Sequence, residues 1–193
     1  MNSAVFSPCR TWRYTLTREW DSRFGDKARS CLFVCLNPST ATETKDDPTI
    51  RRCIGFAKTL GYSRLTVCNI FALRSTDPKA LYDHADPAGP ENLEHIEREA
   101  VRHELLVAAW GNHGELRGQG VIVMNLLCML AEAVHVLGIN ATGQPKHPLY
   151  LRADTQPMQL ATECDAGLAG DCFENALRDV EVRVHGLDVV VLL

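Results

Sequence analysis

Four short apolar runs, separated by segments of helical pattern, limit what this chain can fold into. They are Cys31-Leu32-Phe33-Val34-Cys35-Leu36, Leu65-Thr66-Val67-Cys68-Asn69-Ile70-Phe71, Leu105-Leu106-Val107-Ala108-Ala109-Trp110 and Val134-His135-Val136-Leu137-Gly138. Runs this short and this apolar, bounded by turn residues, read as strands buried on both faces. Asn37-Pro38 and Gly111 close the first and third, because proline and glycine interrupt a strand ladder. Between the runs lie helix signals. Asp47 is placed as N-cap with Pro48 at the first helical position, and Ile50, Cys53, Ile54, Ala57 and Leu60 form one apolar face before Gly61. Shorter helices are expected from Ser75 to Leu81 and from Gly89 to Val101, and another from Val121 to Ala133.

Strand and helix in alternation predict an α/β fold, a three-layer sandwich with a central, mainly parallel four-stranded sheet. Ligands bind such sheets outside the carboxyl ends of the strands. Residues 10–24, with Tyr14, Leu16 and Trp20, read as a short strand and turn on the domain edge. The domain is drawn over residues 10–151. Residues 152–193 are acidic and weakly patterned, a C-terminal extension with a helix from Phe173 to Val180 and an apolar end from Val189 to Leu193.

A chain of 193 residues, 46% hydrophobic and 23% charged, can bury a core without staples. No apolar run reaches the ~20 residues of a membrane helix. The first residues lack a basic start followed by an apolar stretch. A cytoplasmic protein without a membrane segment is therefore expected. The eight cysteines form no CxxC pair and read as small core hydrophobes rather than metal ligands. No metal and no cofactor is expected. Net charge is −4, unevenly spread, with ten Lys and Arg against six Asp and Glu in residues 1–60. That excess, which includes Arg10, Arg13, Arg18, Arg23, Lys27, Arg29, Arg51 and Arg52, either forms a positive face for phosphates or is ordinary solvated surface.

The residues suited to chemistry fall at the strand ends. Asn37 can hold a water through its carbonyl oxygen and a ligand through its amide, with Pro38 fixing its backbone. The competing reading is a plain Asx turn. Asn69 sits in an apolar run, where an unpartnered buried amide costs about 1–3 kcal/mol. It implies either a structural partner or a ligand such as a nucleobase edge. His147 follows the last strand between Pro145 and Pro148 and suits acid–base or electrostatic work. Arg51 and Arg52 at a helix start, and Arg74 after a strand end, can grip an anion or lie on a solvated face. His84, His95, His103 and His113 show no ligand spacing and read as surface residues. Phosphate-loop, dinucleotide, nucleophile-elbow and zinc-protease motifs are absent.

Longer matches accompany these residues. RYTLTREW, LNPSTA, DDPTIRRC, NIFALRSTDP, GPEN, AWG and GQPKHPLYL together resemble the bacterial and phage family called domain of unknown function 1643, from about Tyr14 to Leu151. That name implies no activity. The order Asn37-Pro38, Asn69, Trp110-Gly111, His147-Pro148 is more remotely similar to the strand-end motifs of the uracil-DNA glycosylase superfamily. That resemblance implies a glycosylase-like fold, nucleic acid or nucleotide as partner, and N-glycosidic hydrolysis. Asn37 would position the attacking water. Asn69 would read an extruded base in a site shared with Pro38, Ser39 and Phe71. His147 would stabilise the departing base, and Lys146, Arg51, Arg52 and Arg74 would meet phosphates. Cys35-Leu36 and Ser39 flank the Asn-Pro, and Leu149 follows the His-Pro, where those enzymes usually carry glycines and serine. These departures and the negative net charge motivate the alternative, a non-catalytic nucleotide- or DNA-binding module on the same fold.

Overall fold

The computed structural model describes residues 2–21 and 29–160, together with the backbone of residues 182–184 and 187–189. Two compact units divide the chain, Met1–Leu160 and Ala161–Leu193. In the second, β8 (Val182–Val184) pairs antiparallel with β9 (Leu187–Val189). The helix expected at Phe173–Val180 lies outside the described residues, as do Arg23 and Lys27.

The four apolar runs form β3 (Ser30–Cys35), β4 (Arg64–Asn69), β5 (Leu105–Ala108) and β6 (Val134–Val136), all mutually parallel where they pair. The sheet itself has seven strands and is mixed, which corrects the expected four. Its order is β1-β2-β4-β3-β5-β6-β7, with β1 (Ser3–Phe6), β2 (Arg13–Glu19) and β7 (Met158–Gln159) added antiparallel at the two edges.

Both faces of the parallel core are covered, giving three layers. On one face α1 (Pro48–Thr59) sets Ile50, Cys53, Phe56 and Ala57 against Cys31, Phe33, Cys35, Leu65 and Val67. On the other, α3 (Asn92–Ala100) and α4 (Gln119–Leu130) set Ile96, Ala100, Val123 and Leu127 against Leu32, Val34, Cys68 and Leu106. Successive strand residues thus enter opposite cores, which is why these runs lack polar alternation. The short α2 (Ala80–Asp83) comes later than expected. Cys31, Cys35, Cys53 and Cys68 are buried free thiols. Among the described residues no helix is long and apolar enough to cross a membrane.

Strand β2 is not the edge the sequence suggested, since β1 covers it. Its arginines disguise it. Arg13 and Arg18 are 1% and 3% exposed. Arg13 donates to the Ala41 carbonyl at 3.2 Å. Arg18 pairs with Asp46 at 2.7 Å and donates to the carbonyls of Ser3, Thr17, Thr42 and Lys45. Carbonyls and a carboxylate thus take up the Arg18 guanidinium, as burial requires, while Arg13 keeps Nε buried without a partner. These bonds lace β2 to residues 41–46, the loop that delivers Asp47 to the start of α1. Among the described residues of that basic excess, Arg13 and Arg18 are internal, and Arg10 and Arg29 are paired with Glu43 and Glu104, each at 3.0 Å.

Candidate functional site

A cleft of about 670 Å³ opens at the carboxyl ends of the parallel strands. Asn37, Ser39, Asp47, Trp110, Gly111, Lys146 and His147 all line it.

Asn37 enters from the end of β3. Its Nδ2 donates to the carbonyls of Ser75 at 2.9 Å, Pro38 at 3.1 Å and Leu73 at 3.4 Å. Three acceptors fix which end of the amide is nitrogen. Oδ1 makes no hydrogen bond among the described residues and is the acceptor that this side chain can offer a ligand or a water.

His147 enters from the loop after β6. Its Nδ1 accepts the Leu149 N–H at 3.3 Å, capping the turn Pro148–Tyr150. A ring nitrogen that accepts carries no proton, so the neutral imidazole has its proton on Nε2. Burial lowers the His147 pKa to about 4, against the opposing pull of the Asp47 carboxylate. The ring is therefore a neutral Nε2–H donor at physiological pH. Its loop is anchored by the Gly111 N–H, which donates to the Pro145 carbonyl at 2.7 Å. Gly111 has φ +78°, and a Cβ there would lie 3.4 Å from the His147 Cβ, so glycine suits both backbone and contact. The Lys146 stem packs on Gly138, whose added Cβ would lie 3.3 Å from Cδ.

Asp47 caps α1 by accepting the Ile50 N–H at 2.9 Å through Oδ1. Its other oxygen makes no hydrogen bond among the described residues, and no other carboxylate lines the cleft. Capping thus uses half of this side chain. The sequence places Asp47 as the N-cap, and its second oxygen is a feature of the structure. The directly preceding Asp46 supplied no warning, because it serves Arg18.

Trp110 forms a wall, 2% exposed, with Nε1 donating to Gln144 Oε1 at 2.8 Å. Gly114 and Gly120 make room for it, since added Cβ atoms would lie 2.2 and 3.0 Å from the indole. His113, expected on the surface, also lines the cleft and bonds the Tyr82 hydroxyl at 3.0 Å. His113 is exposed as expected, whereas the His95 and His103 side chains are largely buried. His95 stacks on Tyr14 at 4.5 Å, and His103 pairs with Glu99 at 3.2 Å.

Several expected site residues lie elsewhere. Asn69 is 1% exposed and does not line the cleft. Its carbonyl accepts the Asn92 Nδ2 at 2.8 Å while its own Nδ2 is buried without a partner. Phe71 belongs to the core, and Pro38 is buried behind Asn37. Arg51 donates to the Asp46 carbonyl at 2.7 Å. Arg52 lies over the Phe56 ring at 5.2 Å. Arg74 lines a second groove beside the cleft. Asn37, Ser39, Lys146 and His147 are the expected residues that the structure brings together. Among the described residues no group of three or more His, Cys, Asp or Glu could hold a metal ion.

A model of the family described as "Protein of unknown function (DUF1643)" matches residues 13–149. No curated protein and no solved structure matches the chain.

Proposed function

The chain belongs to the DUF1643 family, whose description assigns no activity, and from the cleft we propose that it hydrolyses the N-glycosidic bond of a nucleotide or nucleic acid. One observation carries this reading: a fixed acceptor, Asn37 Oδ1, and a neutral donor, His147 Nε2–H, line the same cleft. The order of the strand-end motifs, similar to that of uracil-DNA glycosylases, supports the same chemistry.

In the proposed reaction Asn37 Oδ1 accepts one hydrogen bond from a water and aims its oxygen at the sugar C1′. The free oxygen of Asp47 takes the water's proton as the new C–O bond forms. The C1′–N bond breaks and its electron pair leaves on the base. His147 Nε2–H donates a hydrogen bond to the base oxygen on which that charge collects. A neutral imidazole serves here, because the donor must hold its proton while charge develops. The base must be extruded or unpaired to enter. Lys146, on the cleft wall, adds a positive charge where the product anion forms.

The burial of Asn69 outside the cleft favours a second reading, a binding module without turnover, because the amide expected to read a base edge does not line it. Incubation with nucleosides, nucleotides and single- and double-stranded DNA carrying uracil or modified bases separates the two. Base release or abasic sites are expected for at least one substrate. Binding without release across the panel would leave the module.

A further inference from the structure

Beside the cleft runs a second concavity of about 560 Å³, in which Arg10 and Arg74 stand among Thr11, Ser39, Thr40 and Thr76. Ser39 and Thr76 line both spaces, so the groove continues the cleft. No carboxylate lines it.

The arginines are built into this position. Arg10 and Arg74 lie over the same ring, Phe6, at 4.0 and 5.0 Å. Arg74 Nη1 donates to the Arg10 carbonyl at 3.0 Å, while its Nε is buried without a partner. Arg10 is held at φ +59°, a conformation that costs a non-glycine residue energy and recurs at ligand sites. Its side chain pairs with Glu43 through two bonds of 3.0 and 3.2 Å, half exposed on both sides. Pairs that exposed are weak, so Arg10 can exchange its carboxylate for another oxyanion that accepts two parallel N–H bonds, as phosphate does.

We propose that this groove is a phosphate subsite, and that it seats the phosphate attached to the sugar whose base occupies the cleft. This rests on the reading of the cleft given above and names its substrate class, a phosphorylated nucleoside rather than a free one. The phosphate comes either from a mononucleotide or from a single-stranded backbone.

Arg10→Gly removes one guanidinium and relaxes the positive φ, so the fold is kept. Binding of inorganic phosphate, followed by calorimetry at low salt, should weaken about tenfold in Arg10→Gly and in Arg74→Gln, each losing a charge-assisted contact. Arg74→Lys should recover part of the loss. A mononucleotide source predicts that 2′-deoxyuridine 5′-monophosphate binds about tenfold or more tightly than 2′-deoxyuridine. A strand source predicts that the salt dependence of oligodeoxyuridylate binding falls by about 0.7 in log–log slope in Arg10→Gly. Phosphate affinity unchanged in Arg10→Gly overturns the proposal. Equal affinity for nucleoside and monophosphate, with an unchanged salt slope, also overturns it. Phosphate binding is read without turnover. A protein that binds phosphate here but releases no base keeps the groove and loses the hydrolytic reading. One that releases base without binding phosphate does the reverse.

Discussion

His147→Ala is expected to slow base release by about 10²–10³-fold in kcat, the usual cost of deleting one donor to a developing anion. KM should change little, because the contact strengthens only as the bond breaks. Stability should fall by about 1 kcal/mol, since the Leu149 N–H loses its acceptor at an exposed turn. Asn37→Ala should lower kcat by a similar factor, with a larger stability loss from three abandoned carbonyls. The double variant should be little worse than either single one if both act on one step. Single-turnover kinetics beside thermal melts would check this. Wild-type rates in His147→Ala would remove the histidine from the mechanism.

Gly114→Ala should be the most damaging small substitution in the domain. Its new Cβ would lie 2.2 Å from Trp110 Cδ1, 2.4 Å from Nε1 and 2.7 Å from Gln144 Oε1. The indole is buried and bonded to Gln144, so it cannot swing clear. Overpacking of a rigid ring costs about 1–3 kcal/mol, and a broken Trp110–Gln144 bond adds about 1. A chain of this size should lose roughly 10 °C of Tm. Gly55→Ala is the control. That glycine lies within α1 with nothing within 4 Å of its added Cβ, and the change should stabilise by about 0.5–1 kcal/mol. Equal melting points for the two variants would contradict the packing described for Trp110.

The parallel core was readable because each strand is apolar on both faces, and helix α1 because Asp47-Pro48 announces its start. Strand β2 was misplaced because Arg13 and Arg18 look like surface charge until the loop carbonyls they serve are seen. The seven-stranded sheet followed from that concealment, and from the shortness of β7, two residues long. In the site, Asn37 and His147 were legible as polar residues fixed by neighbouring prolines at strand ends. Asn69 attracted notice as an amide in an apolar run; its Nδ2 is buried without a partner, yet the residue does not line the cleft. Asp47 was legible as the cap, whereas its second oxygen is recognisable only once the residue is seen to line the cleft.

His147 must be neutral, with its proton on Nε2, for the proposed chemistry to run. Its folded-state pKa, lowered to about 4 by burial, lies below the ~6.5 of an unfolded histidine. The fold therefore favours the neutral ring. Its contribution, on the order of 3 kcal/mol, is complete above about pH 6.5 and is lost as pH falls towards about 4. Long-range ¹H–¹⁵N correlation spectra of the side chain, taken from about pH 8 to about pH 3.5, test this directly. An unprotonated Nδ1 and a protonated Nε2 that persist to about pH 5, with a midpoint near 4, are predicted. A proton on Nδ1, or a midpoint near the ordinary ~6.5, would contradict it.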